Sequence, residues 1–453
     1  MHLRGSMRIN DSGHLEIGGC DTVELARRFG TPLYVFDELE IRRRCRSYKE
    51  ALERYYPHGN IIYAGKAFLT QAMCRIIQDE GMYLDVVSGG ELFTALSAGF
   101  PAERVFFHGN NKSQEEIAYG IKSGVHRFVV DNLHELEMLN EEATRNATTV
   151  DVLIRVAPGV EVDTHSYMRT GQMDSKFGFG IDDGRALEAI RAIRRSSHLR
   201  LRGLHAHIGS QIFELESYEM TTRLMVEFID RLRTDNGVDI EELNMGGGLG
   251  IRYSADDTPS TIEAFVETVA GALKVECRSK DLPLPRLYFE PGRSIVGEAG
   301  TTLYTIGGSK EIPGVRKYIF VDGGMADNPR VALYQAEYEA MVANKALQAP
   351  SDLVTVAGKC CESGDILIWD INLPPCAPGD ILAVFATGAY NYSMASNYNR
   401  LTRPAAVLVC DGEADLIVRR ESFSDLVQHD CIPERLRLLA SDCHGLSDTP
   451  LRI

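Results

Sequence analysis
Short apolar, β-branched runs recur along the chain from about Asn60 to about Arg293, each followed by polar or glycine-rich residues and then by a stretch with helical spacing. Such alternation reads as strand, loop and helix in turn, because side chains repeat every second residue on a strand and about every 3.6 on a helix. Eight strands are predicted: Ile61–Ala64, Tyr83–Val87, Arg104–Phe107, Arg127–Val130, Asp151–Val156, Leu201–Ala206, Glu242–Asn244 and Leu287–Phe289. Between them Met220, Leu224, Met225, Phe228, Ile229 and Leu232 fall on one helical face, as do Ile262, Phe265, Val266, Val269 and Leu273. Those faces need a sheet to cover. Eight strand-helix pairs within roughly 230 residues match the usual length of a (β/α)8 barrel, which right-handed crossovers close naturally. An open doubly wound sheet is the alternative on pattern alone.

After Gly300 the texture changes to strands without regular helices between them: Leu303–Ile306, Lys317–Val321, Leu353–Val356, Ile366–Trp369, Ile381–Phe385 and Ala406–Val409. Asp411-Gly412 and the extended run Leu416–Arg420 then read as a hairpin. Leu33–Phe36, preceded by Pro32, lies outside the eight-unit series and is assigned to the same β-rich region. The expected fold class is therefore α/β plus all-β, a (β/α)8 TIM-like barrel followed by a C-terminal β-sandwich or β-barrel domain. Residues 1–37 form an N-terminal segment lending a strand to the β domain, 38–300 the barrel, 301–428 the β domain and 429–453 a tail of no assigned role.

A length of 453 residues exceeds one ordinary core, which agrees with two domains. Hydrophobic residues at 44% and charged residues at 25% are those of a globular protein, and no apolar run approaches the roughly 20 residues that cross a bilayer. Met1 to Asn10 carry Arg4 and Arg8 but no apolar segment, so no secretory leader is expected and the cytoplasm is the expected compartment. A net charge of −16, with basic residues scattered among acidic ones, argues against nucleic acid as a partner. Ten cysteines lie without Cys-x-x-Cys or paired metal spacing, so neither a metal nor a disulfide framework is expected. The adjacent pair Cys360 and Cys361 stands apart from the rest.

In such a barrel, functional groups gather at the carboxyl ends of the strands. Lys66 follows the first predicted strand, Ser88-Gly89-Gly90 the second, His108 the third and His207-Ile208-Gly209-Ser210 the sixth. Gly246-Gly247-Gly248 follows the seventh and Glu290-Pro291-Gly292-Arg293 the eighth. Taken singly each has a plainer reading: a solvated lysine, a glycine turn, a satisfied core histidine at 207, a strand end at Glu290. Together they describe a cradle for a phosphorylated cofactor beside a lysine, because glycines free backbone N–H groups for a phosphate and contacts after strands seven and eight recur in barrels. That combination points to pyridoxal 5′-phosphate, whose aldehyde needs an amine, whose pyridine nitrogen needs a charge partner and whose ring takes a flat side chain on one face. Lys66, Glu290 and His207 supply the three.

At these residues the sequence closely resembles the diaminopimelate decarboxylase family, part of the alanine-racemase-like, fold-type III pyridoxal-phosphate enzymes that include ornithine and arginine decarboxylases. The motifs carrying the resemblance are Tyr-Ala-Gly-Lys-Ala at 63–67, Asp-Val-Val-Ser-Gly-Gly-Glu-Leu at 85–92, His-Gly-Asn-Asn-Lys at 108–112 and Asp-Ser-Lys-Phe-Gly-Phe at 174–179. They continue with His-Ile-Gly-Ser-Gln at 207–211, Gly-Gly-Gly at 246–248, Glu-Pro-Gly-Arg-Ser at 290–294, Cys-Glu-Ser-Gly-Asp at 361–365 and Gly-Ala-Tyr at 388–390. The match runs from about Gly13 to about Gln428. Gly65 beside Lys66 and Ala206 before His207 depart from the common pattern in spacing groups, not in reactive atoms.

The resemblance implies that Lys66 holds the cofactor through its amine, His207 stacks on the ring and Glu290 pairs with the pyridine nitrogen. It places Asp85, Ser210, Gly246, Gly247, Gly248, Pro291, Gly292, Arg293 and Tyr390 around the cofactor and its phosphate. It also implies a homodimer in which Cys361 and Glu362 of one chain complete the site of the other, with Cys361 the acid that protonates Cα once carbon dioxide has left. Lys66, Cys361, His207 and Glu290 form the catalytic set on this reading. The implied activity is decarboxylation of meso-2,6-diaminopimelate to L-lysine and carbon dioxide, the last step of lysine biosynthesis. That substrate carries an ammonium and a carboxylate at its distal end, which calls for an acid and an arginine side by side. Arg330 and Tyr334 are assigned to the carboxylate and Glu362 to the ammonium, with Arg293 and Tyr390 sharing in substrate contact. Three alternatives stand beside it: a decarboxylase of D-lysine, ornithine, arginine or a siderophore precursor, an amino-acid racemase, and a non-catalytic pyridoxal-phosphate carrier.

Overall fold
A computed structural model describes residues 3–160 and 176–437. Asp174 and Ser175 of the 174–179 motif, and residues 438–453 of the tail, lie outside the described residues. Eight parallel strands close on themselves: Gly59–Ala64, Tyr83–Val86, Val105–Phe107, Arg127–Val130, Val150–Ala157, Leu199–His205, Glu242–Asn244 and Arg286–Phe289. The pairing Leu287↔Gly59 joins the eighth strand to the first, so the sheet is a barrel and the open doubly wound alternative is excluded. Each strand falls within one or two residues of its sequence expectation.

The pleat sets what lies inside. Ile62, Phe106, Val129, Leu153 and Tyr288, with Tyr83 packed against them, form an apolar plug. Two residues further along each strand points to the same side of the sheet. Those positions hold Ala64, Asp85, His108, Asp131, Arg155 and Glu290, all of which but Asp131 line the cavity above the plug. The alternation that buries one layer of hydrocarbon thus raises a polar floor directly on it.

Outside the barrel, helix Ile262–Ser279 buries Ile262, Phe265, Val266, Val269 and Leu273 as its spacing predicts. Helix Glu216–Asn236 buries Met225, Phe228, Ile229 and Leu232, but Met220 is 50% exposed and Leu224 only half-buried. The buried face there runs through Tyr218, Thr221 and Thr222 instead, so it is rotated away from Met220 and Leu224.

The β domain joins strands Gly300–Ile312, Arg316–Val321, Asp352–Ala357, Ile366–Leu373, Ile381–Phe385, Ala405–Cys410 and Glu413–Val418. Leu33–Asp37 lies inside this sheet, antiparallel to Gly300–Leu303 and parallel to Ala405–Val409. The hairpin Ala405–Val418 turns at Asp411 and Gly412, both at positive φ, as an Asp-Gly two-residue turn requires. A short strand Ala340–Val342 and an N-terminal three-stranded sheet, Arg8–Ile9, Leu15–Ile17 and Cys20–Asp21, have no counterpart in the sequence expectation. Strands this short carry little periodicity of their own and register only within a repeating strand-helix series, as Val105–Phe107 and Glu242–Asn244 do. No helix among the described residues is long and apolar enough to cross a membrane.

Candidate active site
Lys66 sits in the tight turn Gly65–Ala67 that ends the first barrel strand. A Cβ at Gly65 would lie 2.7 Å from the Asp85 carbonyl, so the departure from the family pattern at that position is a steric need that lets the turn press on the second strand. Lys66 is exposed, but into a cavity of about 440 Å³ at the carboxyl ends of the strands. The same cavity is lined by Asp85, His207, Ser210, Gly247, Gly248, Glu290, Gly292, Arg293, Arg330, Tyr334 and Tyr390. Residues separated by more than 300 positions in sequence therefore meet at one mouth. Gly246 and Pro291 are buried beside it, not on its lining.

The glycine run has room for nothing larger. A Cβ on Gly247 would stand 2.1 Å from the Glu290 carbonyl, and one on Gly248, whose φ is +107°, 2.4 Å from the Gly209 carbonyl. Tyr218 donates to the Gly247 carbonyl at 3.2 Å and holds the run from behind. Gly247→Ala is therefore expected to displace the loop, with destabilisation of about 1–3 kcal/mol and weaker phosphate capture. Thermal denaturation and an equilibrium titration with pyridoxal phosphate would check it. Beside the run, Arg293 Nη2 donates to Ser210 Oγ at 3.0 Å and its guanidinium stacks 4.9 Å from the Tyr390 ring centroid. A hydroxyl, a guanidinium and backbone N–H groups form the donor set that an anionic phosphate requires.

Tyr390 arrives from the β domain, and its backbone N–H donates to the Ala67 carbonyl at 2.8 Å. The positive φ of 66° at Tyr390 turns its ring toward the cavity. Arg330 opens the short helix Arg330–Tyr334 and is only 3% exposed. Its Nη1 donates to the Tyr338 hydroxyl at 2.7 Å and its guanidinium lies 4.7 Å over the Tyr253 ring. A cation packed among aromatic rings at a cavity wall is positioned for a ligand anion.

Glu290 ends the eighth strand and is the electrostatic centre. Asn244 Nδ2 donates to one of its oxygens at 2.7 Å, His205 Nε2 lies 3.0 Å from the other, and His108 Nε2 makes an ion-pair contact at 2.8 Å. Burial alone raises a carboxyl's pKa, but the two imidazoles outweigh it and hold Glu290 well below the usual carboxylate range. Burial acts on the rings too: His205 is pushed down to about 4, and His207 falls well below 6.5 through burial and then the Lys66 charge. His207 is thus a neutral ring, and the Gly247 N–H, 3.3 Å from Nδ1, makes that nitrogen the acceptor. For His108, burial lowers the pKa, yet Asp85 and Glu290 raise it above 6.5 overall. Asp85 is raised by burial first, with the His108 charge opposing.

Three pocket or floor residues have no place among the sequence candidates, His205, Arg155 and Asn244, and a fourth, His108, was placed at a strand end without a role. His108 is visible in the sequence only as a residue after the third strand. His205 and His207 are two apart, and Arg155 interrupts the apolar strand Val150–Ala157, so the pleat was the available signal. Arg155 lies over the Phe177 ring at 4.3 Å and near Asp131 at 3.9 Å. His108, His205 and Glu290 also bring three ligand atoms within 4.8 Å of one another, a grouping able to hold a metal ion, which cysteine spacing could not have disclosed.

Cys361 and Glu362 do not join this cavity. They are exposed on the loop between strands Asp352–Ala357 and Ile366–Leu373, where the Cys361 N–H donates to Asn399 Oδ1 at 2.6 Å. Asp365 anchors that loop by accepting from the Cys360 N–H at 2.7 Å and the Met325 N–H at 2.6 Å.

The donor set fits a phosphorylated pyridine aldehyde: an amine at Lys66, a held anion at Glu290, a neutral ring at His207 and a glycine cradle beside Ser210 and Arg293. Residues 38–297 match the family described as pyridoxal-dependent decarboxylase, pyridoxal binding domain. A diaminopimelate decarboxylase of Bacillus subtilis (strain 168) is 50% identical over 430 residues, spanning 95% of this chain and 98% of its own. One from Synechocystis sp. is 47% identical over 438 residues, spanning 94% and 92%. The crystal structure of diaminopimelate decarboxylase from M. jannaschii in co-complex with L-lysine superposes with a TM-score of 0.89 at 36% identity, over 95% of this chain and 99% of that one.

Proposed function
The chain belongs to the diaminopimelate decarboxylases, a family of pyridoxal-phosphate-dependent enzymes, and on that premise we propose that it converts meso-2,6-diaminopimelate to L-lysine and carbon dioxide, closing lysine biosynthesis. The observation that carries the substrate assignment is the buried guanidinium of Arg330 on the wall of the cavity that Lys66 and Glu290 share. A diamine substrate leaves such a cation without a ligand, whereas a distal carboxylate neutralises it.

Pyridoxal phosphate, when bound, supplies an aldehyde that captures the substrate amine and a ring that accepts the electrons of the breaking Cα–carboxylate bond. Gly247, Gly248, Ser210, Gly292 and Arg293 would hold its phosphate, with Gly246 shaping the run behind them and Tyr390 at the cavity wall beside Arg293. Glu290 presents an anion to the ring nitrogen and keeps it protonated, which favours electron flow away from Cα. His207, held neutral, covers one face of the ring without adding charge to it. Lys66 is the amine that would hold the aldehyde. Asp85 lies within the field of Lys66, whose charge, after that of His108, opposes the rise that burial gives the Asp85 carboxyl.

A second copy of the chain completes the site on this reading. Cys361 of that copy delivers the proton to Cα, and its Glu362 meets the distal ammonium. The exposure of both residues on a loop away from their own cavity supports the shared arrangement. A biosynthetic role with a soluble amino acid as substrate supports residence in the cytoplasm.

Carbon dioxide release from meso-diaminopimelate, D-lysine, L-ornithine and L-arginine tests the assignment. Diaminopimelate should lead by at least about a hundredfold in kcat/KM, as a site with a buried polar partner discriminates. Arg330→Leu should lose about that factor on diaminopimelate and little on D-lysine. A preference of the unaltered enzyme for ornithine or arginine would overturn the substrate.

A further inference from the structure
Glu290 is held by more than its own strand. Asn244 ends the seventh strand and is fully buried. Its Oδ1 accepts from the Gly246 N–H at 2.9 Å, and since an N–H can only donate, that contact fixes the amide with Nδ2 toward Glu290. The Glu290 N–H in turn donates to the Gly246 carbonyl at 2.7 Å. One amide therefore links the first glycine of the phosphate cradle to the carboxylate at the opposite end of the site. His205 is 1% exposed and His108 5%, and their rings meet edge to face at 4.9 Å on either side of the carboxylate. A carboxylate has about four acceptor positions. Asn244 and His205 engage two of them, His108 Nε2 stands 2.8 Å from Oε1 as a charge partner, and the carboxylate still lines the cavity.

We propose that His108, His205 and Asn244 form a collar of two donors and one charge partner that fixes Glu290 as an oriented anion with its remaining acceptor capacity turned to the cavity, so that these three positioning residues set how strongly the site holds a protonated pyridine nitrogen. The inference deepens the functional reading above and rests on its pairing of Glu290 with that nitrogen. The collar also makes the charge partner rigid: a carboxylate with several fixed donors has no alternative rotamer to occupy when the ring arrives, and little reorganisation accompanies binding. Without the collar a buried carboxylate takes up a proton, and a neutral acid no longer favours a protonated ring.

The test uses the full chain freed of cofactor and two probes, pyridoxal 5′-phosphate and its 1-deaza analogue, in which carbon replaces the ring nitrogen. His205→Leu and Asn244→Leu are expected to weaken the first by about tenfold or more and the second by less than about twofold, the scale of hydrogen bonds to a charged group. His205→Gln, which keeps a donor near the Nε2 position, should stay within about threefold of the unaltered protein for both. Far-UV circular dichroism and melting of each apoprotein report folding, and His108→Gln with Asn244→Ser carry the same comparison should the leucine variants not fold. Equal weakening toward both probes makes the collar merely structural and overturns the proposal. Failure of the unaltered protein to prefer the nitrogen-bearing probe is a different result: it removes Glu290 as the ring's partner, and the functional pairing falls along with the collar. Stoichiometric zinc binding by the apoprotein, lost in His108→Gln and His205→Leu and excluding pyridoxal phosphate, would make the cluster a metal centre and likewise overturn it.

Discussion

Lys66→Ala is expected to leave a folded chain whose turnover falls on the order of 10⁴ to 10⁶-fold, the scale seen when a covalent group is removed from an enzyme. The side chain is exposed within the cavity, so its truncation empties no packed volume and should cost little stability. The protein mixed with pyridoxal phosphate should lack the visible absorption band that a lysine-bound aldehyde gives, while the phosphate grip around Gly247, Gly248 and Arg293 still retains some cofactor. An unchanged spectrum would remove Lys66 from its assigned role. A lost spectrum together with a collapsed melting curve would instead show that the turn at Gly65–Ala67 depends on the lysine, contrary to its exposure.

The second large effect concerns Cys361. Cys361→Ala should preserve cofactor affinity and the absorption band, because the residue lies outside its own chain's cavity, while turnover drops roughly 10² to 10⁴-fold through loss of a general acid. Mixing it with Lys66→Ala separates a shared site from a self-contained one. In a random mixture of two-fold dimers half are hybrids, and each hybrid holds one site with both lesions and one with neither. Roughly a quarter of the unaltered activity should return. No return on mixing would mean that each chain completes its own site, and the assignment of Cys361 and Glu362 to the partner would fall.

Much of the architecture was legible because it is written in short-range periods. The eight barrel strands lie at Gly59–Ala64 through Arg286–Phe289 almost where β-branched runs place them, and the face Ile262 to Leu273 buries as its spacing requires. Lys66, the glycine run and Glu290 were legible for another reason: each follows a strand, and barrel chemistry collects at that edge. His205 and Arg155 were less so. A histidine or arginine inside an apolar run has no sign of its function until the neighbouring strands are known, since whether it faces the barrel axis or the helices depends on register. The segment Ala340–Val342 borrows its strand character from a partner some forty residues along the chain, and Arg8–Ile9 and Leu15–Ile17, which pair with each other, are too short to carry a period of their own.

The sequence by itself determined the strand and helix series, the two-domain division of texture and the chemical inventory of amine, acid, imidazole and glycines, because these depend on residue type and on spacings of a few positions. Only the tertiary structure decided that the sheet closes through Leu287 and Gly59, that Arg330 and Tyr390 reach the same cavity as Lys66, and that Glu290 is an anion between two imidazoles. Closure depends on accumulated twist and register, and the charge state of a buried group depends on what desolvates and faces it; both are properties of contacts between distant segments, which no local pattern encodes.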